Sequence, residues 1–286
     1  MRRSLCSDQQ IADLPKKVRN GEFTLADLDK TAQRAVEQKL TPYGFLHSNG
    51  PKDLAMLLFN SGTQVFDDHA KQYILDKQHV LETFQSLKQM VDQKVLPSSM
   101  MSISTNDRLK AMVNGQALFM EGGVWEEAKW QQNDWNKEMG KVSEQWIMEH
   151  LGVMLLPPSK QGGKPLTVSG PYVYVVSKQT QHPDLVQRLL TDVSAPDFQK
   201  AHAVQSSHIP FTKEGQDLVK DHVWLNTVSY MTQYSKFVPN HPDEPKFEKI
   251  LTDAFTNLET SAMTPEQDVQ WMEQQMKLDL GNITVK

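Results

Sequence analysis

The segment Val113-Asn114-Gly115-Gln116-Ala117-Leu118-Phe119-Met120-Glu121-Gly122-Gly123-Val124-Trp125 constrains the fold more than any other part of the chain. Asn106 to Asn114 reads as a helix that Gly115 caps, and Leu118 to Met120 has strand composition. Gly122-Gly123 then supplies the backbone freedom that a tight strand-to-helix turn needs. The turn leaves Trp125 beside a cleft or at a domain edge, where a flat indole stacks on the apolar face of a ligand such as a sugar. Core packing is the competing role for the same side chain.

A chain of 286 residues forms either one large domain or two lobes. With 38% hydrophobic and 23% charged residues, its composition is that of a soluble globular protein. The formal net charge of -5 offers no basic field for nucleic acid or an anionic membrane. Apolar runs such as Val173 to Val176 fall far short of the roughly 20 residues of a membrane span. The single cysteine, Cys6, excludes an internal disulfide and a cysteine-based metal cluster. Arg2 and Arg3 precede no apolar stretch of about 7 to 15 residues, so Met1 to Cys6 is not a complete signal peptide.

Helices and short strands alternate without internal repeats. Thr24 opens a helix with Leu25, Leu28, Ala32 and Ala35 on one face, stopped by Pro42, and Tyr43 to Leu46 follows as a strand. Pro51 to Asn60 is helical with Ser61-Gly62 at its end, and Val80, Phe84, Leu87 and Val91 mark a second strong helix that closes at Val95-Leu96-Pro97. Glu126 to His150 reads as a polar helical stretch holding Trp130, Trp135 and Trp146. Leu151 to Leu156 and Tyr172 to Ser177 read as strands, the second introduced by Ser169-Gly170-Pro171 and alternating tyrosine with valine. Helices follow from Pro183 and from Ser194, then Pro239, Pro242 and Pro245 mark a crossing segment. Phe247, Ile250, Leu251 and Ala254 form a buried helix face, and Thr264-Pro265-Glu266-Gln267 starts the last long helix with a capping box.

The order of these pieces resembles the extracellular solute-binding proteins of ABC sugar importers, family 1, the maltose-binding-like group. Four pieces carry the resemblance in sequence: Asp76 to Pro97; Asn114 to Trp125, close to the family's NGKAAM…G.W pattern; Gly152 to Lys178; and Gln181-His182-Pro183-Asp184 leading into a helix. Met263 to Val269 is similar to the family's closing TPEEAL helix. The resemblance implies a periplasmic-binding-protein-like α/β fold of type II, of which this chain enters the pattern near the middle. It then divides into an irregular segment 1–23, a second-lobe α/β domain 24–193, helices 194–238 that normally pack on the first lobe, and a crossing with C-terminal helices 239–286. The segment before Thr24 is too short to build a first-lobe sheet, so a chain lacking most of that lobe is expected, its uncovered face self-associating.

The function implied is binding without chemistry. Two lobes close on a sugar or oligosaccharide and deliver it to an ABC transporter permease outside the cytoplasm, with no cofactor. Carried over position by position, Trp125 matches the family's stacking tryptophan and Gly123 the turn before it. Gly170 and Tyr172 match a strand entrance that lines the cleft, and His47 and Asn49 lie where a ligand-facing loop is expected. A shortened family member that folds but binds little is the alternative, and an unrelated enzyme or interaction module a third. The residues offer little to an enzyme: no HExxH, GxSxG, phosphate loop or dinucleotide fingerprint occurs. His202 and His208 are separated by a loop-like Ser206-Ser207, and the histidines read as solvated. Glu126-Glu127 and Asp67-Asp68 read as exposed charge, since adjacent carboxylates point apart.

Overall fold

Local chemistry sets the helix boundaries of this computed structural model, which describes residues 1–3, 13–170, 173–260 and 262–286. Cys6 and Tyr172 lie outside the described residues. The first part of the chain runs α1 (Leu14–Arg19), α2 (Leu25–Glu37), β1 (Tyr43–Leu46), α3 (Pro51–Ser61), β2 (Phe66–Asp67), β3 (Gln72–Leu75), α4 (Lys77–Asp92), α5 (Thr105–Val113) and β4 (Ala117–Met120). It continues α6 (Glu126–Gln132), α7 (Glu144–His150), β5 (Thr167–Ser169), α8 (Pro183–Val193), α9 (Pro196–Ser206), α10 (Lys213–Leu218), α11 (Val223–Val228), β6 (Ser235–Phe237), α12 (Glu244–Glu259), α13 (Pro265–Asp279) and β7 (Ile283–Val285). The segment expected to be irregular before Thr24 thus carries a helix.

Capping explains the starts. Thr24 and Asp27 form a reciprocal box at α2, and Thr264 and Gln267 do the same at α13. Gly62, with φ +99°, ends α3 in the left-handed region, and Gly115, with φ +69°, follows α5 in the same way. The expected apolar faces are buried: Leu28, Ala32 and Ala35 on α2, Val80, Phe84, Leu87 and Val91 on α4, Phe247, Ile250, Leu251 and Ala254 on α12. One continuous hydrophobic cluster joins residues of α1 to α7, α9 and α11 to α13.

The central sheet is narrow in strands but wider in hydrogen bonds. β1 and β4 run parallel with Tyr43 opposite Ala117 and Phe45 opposite Phe119. Beyond β1, the amides of Gly44 and Phe45 donate to the Val95 carbonyl. Beyond β4, the Arg2 amide donates to Leu118 O at 2.7 Å, and Arg2 bridges Leu151. A second sheet joins β2 and β3 antiparallel and β3 and β7 parallel; a third pairs β5 with β6.

Several expected elements fall differently. Leu151 to Leu156 is not a strand: only Leu151 pairs, with Arg2. Among the described residues 173–177 there is no strand either, and Val173, Tyr174, Val175 and Val176 are exposed. Alternation makes a segment fit for a sheet, but a ladder also needs a neighbour, and β5 upstream took β6 as its partner. Glu126 to His150 is two short helices rather than one, because an Asn136–Gly140 turn intervenes. Strands β3 and β7, remote in sequence, were not expected. No described helix is long and apolar enough to cross a membrane.

Candidate functional site

Strand β4 delivers Glu121, Gly122, Gly123 and Val124 to the N-terminus of α6, where Trp125 occupies the cap position. The glycines matter through space rather than backbone angle, since neither has positive φ. A Cβ on Gly122 would lie 1.9 Å from Glu126 Oε2, and one on Gly123 would lie 2.3 Å from Trp125 Cε2. The Glu126 carboxyl and the Trp125 indole therefore sit directly on bare backbone.

This turn forms one wall of a cavity of about 960 Å³, near the upper end of ordinary small-molecule sites. Trp125, Gly123 and Gly170 all border it. Trp125 is 45% exposed, and its ring stacks on His208 with centroids 5.4 Å apart and planes 7° from parallel. The loop carrying His208 is pinned from below: buried Ser207 donates to Glu127 Oε2 at 2.5 Å, and Gln131 donates to the other oxygen. His202 on α9 lies 5.7 Å from His208, ring to ring, and both border the cavity. Burial, and then His202, hold His208 below the usual imidazole range. Among the described residues, no group of His, Cys, Asp and Glu is arranged to hold a metal ion.

His47 and Asn49 are taken elsewhere. His47 is 1% exposed, with Nε2 3.0 Å from Glu259 Oε1 and Nδ1 2.7 Å from the Ser48 carbonyl. Asn49 spends its amide on the carbonyls of Met101 and Ile103. Neither borders the cavity. They tie the loop after β1 to α12 and to the turn before α5. Of the tryptophans in 126–150, Trp130 is buried and donates to Leu109 O, while Trp146 stacks on His150 beneath the Arg2 guanidinium. Trp224 donates to Val124 O at 2.9 Å and closes α11 onto the glycine turn.

The expectation of exposed charge at Glu126-Glu127 is overturned, since both side chains are buried. Adjacent carboxylates do point apart, but here one points to the cavity wall and the other to Ser207. Glu126 belongs to a polar cluster with Asp53, Glu121 and fully buried Arg108. Arg108 donates to the Glu121 carbonyl at 2.8 Å and reaches the Ser48 and Thr105 hydroxyls at 3.4 Å. Ser48 donates its amide to Glu121 Oε2 at 2.9 Å and its hydroxyl to Asp53 Oδ2 at 2.5 Å. Burial raises the Glu126 carboxyl to about 7 against the opposing pull of Arg108, and drives Glu121 well above its usual range with help from Asp53. Sequence reasoning missed this cluster, and the only hint was an arginine among the apolar residues of α5.

The α/β framework thus carries a cavity walled by Trp125 and bordered by polar groups. The sequence matches the bacterial extracellular solute-binding proteins over residues 13–227, and the chain belongs to that family. Members of the family bind solutes and are not enzymes. The maltose-bound protein MalE3 of T. maritima is 16% identical with a TM-score of 0.74, the match covering 89% of this chain and 65% of that one. The GacH receptor of Streptomyces glaucescens, known unliganded and with acarbose, is 14% identical with a TM-score of 0.76, covering 94% and 68%. A Thermotoga lettingae ABC transporter solute-binding protein bound to alpha-D-tagatose is 16% identical with a TM-score of 0.72, covering 91% and 65%. These likenesses give the fold, that of the type II periplasmic binding proteins, and this chain spans 65% of the length of MalE3.

Proposed function

We propose that the chain binds a sugar or oligosaccharide in the cavity beside Trp125 and serves an ABC importer, handing its solute to a membrane permease at the outer face of the cytoplasmic membrane. The observation that carries this reading is the half-exposed indole on the wall of a 960 Å³ cavity. An indole gives a pyranose ring an apolar platform while neighbouring carboxyl and amide groups meet its hydroxyls. The solved neighbours whose ligands are maltose, acarbose and tagatose point the same way. In this proposal Trp125, Gly123 and Gly170 face the ligand. Residues 24–193 make the second-lobe unit, 194–238 the helices that pack on a first lobe, and 239–286 the crossing and closing helices.

Titration with maltose, maltotriose and a panel of monosaccharides, followed by tryptophan fluorescence and by melting temperature, tests the reading. A bound sugar changes the emission and raises the melting temperature by mass action, and Trp125→Ala abolishes both responses. Little or no binding is the second reading, and the His208 ring already lying parallel to Trp125 favours it. Silence across the whole panel by a folded protein would establish that alternative.

A further inference from the structure

The cavity is bordered by three acidic residues, Asp53, Glu121 and Glu126, and among the described residues its border has no lysine or arginine, the basic groups there being His202, His208 and the Met1 amine, which donates to the Gly152 carbonyl. Arg108 is close behind them, yet its hydrogen bonds go to a carbonyl and two hydroxyls rather than to a carboxylate. Two of the acids are incompletely met. Glu121 is 6% exposed and its Oε1 has no protein partner, while Glu126 is 5% exposed and its Oε2 has none. The Glu126 carboxyl folds over Gly122, next to Glu121 in the chain, so the two acids flank one stretch of bare backbone. Unpartnered buried acceptors cost free energy, and gathering three acids around one guanidinium adds repulsion. A neutral sugar's hydroxyl donors would meet the oxygens but do little to favour the charged form of carboxyls that burial holds protonated, whereas a cation would favour it.

We propose that the solute taken here carries a positively charged nitrogen, as an amine-bearing sugar does, and that its ammonium group docks against Glu121 Oε1 and Glu126 Oε2 beside Trp125. The ammonium supplies the missing N–H donors and holds the two carboxyls in their charged form, and the indole alongside attracts a cation through its ring face. An organic cation is indicated over a metal ion, because no described group of acids and histidines has a metal-binding arrangement. The proposal rests on the sugar-binding reading and narrows it to a class of solute. Groups facing Glu126 are Arg108 from α5, Asp53 from α3, Glu121 from the end of β4 and Lys129 on its own helix. Of these, none but the two basic side chains opposes the negative charge.

Calorimetric titration of the full chain at pH 7 with glucosamine, N-acetylglucosamine, glucose and ethanolamine tests it. Glucosamine is expected to bind at least about tenfold more tightly than its acetylated or hydroxyl counterparts. The near-isosteric variants Glu121→Gln and Glu126→Gln should bring that preference below about threefold while leaving the melting temperature of the free protein no lower. Equal affinity for glucosamine and glucose, or a preference that survives both variants, overturns the cation proposal and leaves sugar binding standing. Binding of ethanolamine with no response to any sugar keeps the cation site and removes the sugar reading. Silence towards all four removes both, and the wild-type comparison decides even where a variant fails to fold.

Discussion

At the scale of single residues, two glycines are small for reasons of space. At Gly44 a Cβ would meet Ala32 Cβ at 2.7 Å, the Ala32 carbonyl at 2.8 Å and Val95 Cγ1 at 2.8 Å, so β1 and α2 are in contact through bare backbone. Gly44→Ala should lower unfolding free energy by about 2 kcal/mol, read by urea denaturation, because neither strand nor helix can yield locally. At Gly123 the clash is with a half-exposed indole that has room to swing. Gly123→Ala should therefore shift tryptophan emission while costing less than about 1 kcal/mol. The identity of these glycines was legible and their purpose was not, since close approach by a residue remote in sequence leaves no local mark. His47 makes the same point. Its partner Glu259 also accepts the Met101 amide at 2.7 Å, so Glu259→Ala should cost about 3 kcal/mol by leaving buried groups unpaired.

At the scale of elements, capping and periodicity were readable because both are local. The Thr264 hydroxyl accepts from the Gln267 amide at 3.2 Å, and the Gln267 side chain returns to the Thr264 amide at 3.0 Å. Thr264→Ala should cost about 1 kcal/mol. Helix α8 shows what periodicity leaves open. It is strongly amphipathic, yet it buries none of its residues, and Leu185 and Leu189 are 65% and 60% exposed. Replacing both by lysine should change unfolding free energy by less than about 0.5 kcal/mol, a test of whether this face packs on anything in the free chain. Strand prediction failed at Val173 to Ser177 for a related reason. Alternation describes a segment's two faces, while pairing depends on which edge is vacant when the chain folds.

At the scale of the whole molecule, buried acids set the response to pH. Asp268 is fully buried, receives one hydrogen bond from Asn257 and has an unpartnered Oδ2, and burial raises its carboxyl from 3.8 to about 7. Between those values the folded state keeps a proton that the unfolded state has released, so stability falls as pH rises and the penalty is complete above about 7. Glu126 adds to the slope in the same direction. Asp268→Asn should be more stable than the wild type by about 2 kcal/mol at pH 8 and equal to it near pH 4, measured by urea unfolding across that range. Val173, Val175, Leu185 and Leu189 expose apolar surface in one stretch of chain. Association that grows with concentration in sedimentation, and weakens when Leu185 and Leu189 become lysine, is the expected consequence.

The sequence by itself determined the longer helices α2 to α5, α8, α9, α12 and α13, the β1 and β4 strands, the turn that presents Trp125, and the family to which their order belongs. Those features depend on residues within one or two turns of each other. Tertiary structure alone decided that Glu126 turns inward to join Arg108, Glu121 and Asp53, that His47 serves Glu259, and that His208 lies on Trp125. Glu121 apart, the partners are remote in the chain, and only folding gives a side chain its dielectric surroundings and its neighbours.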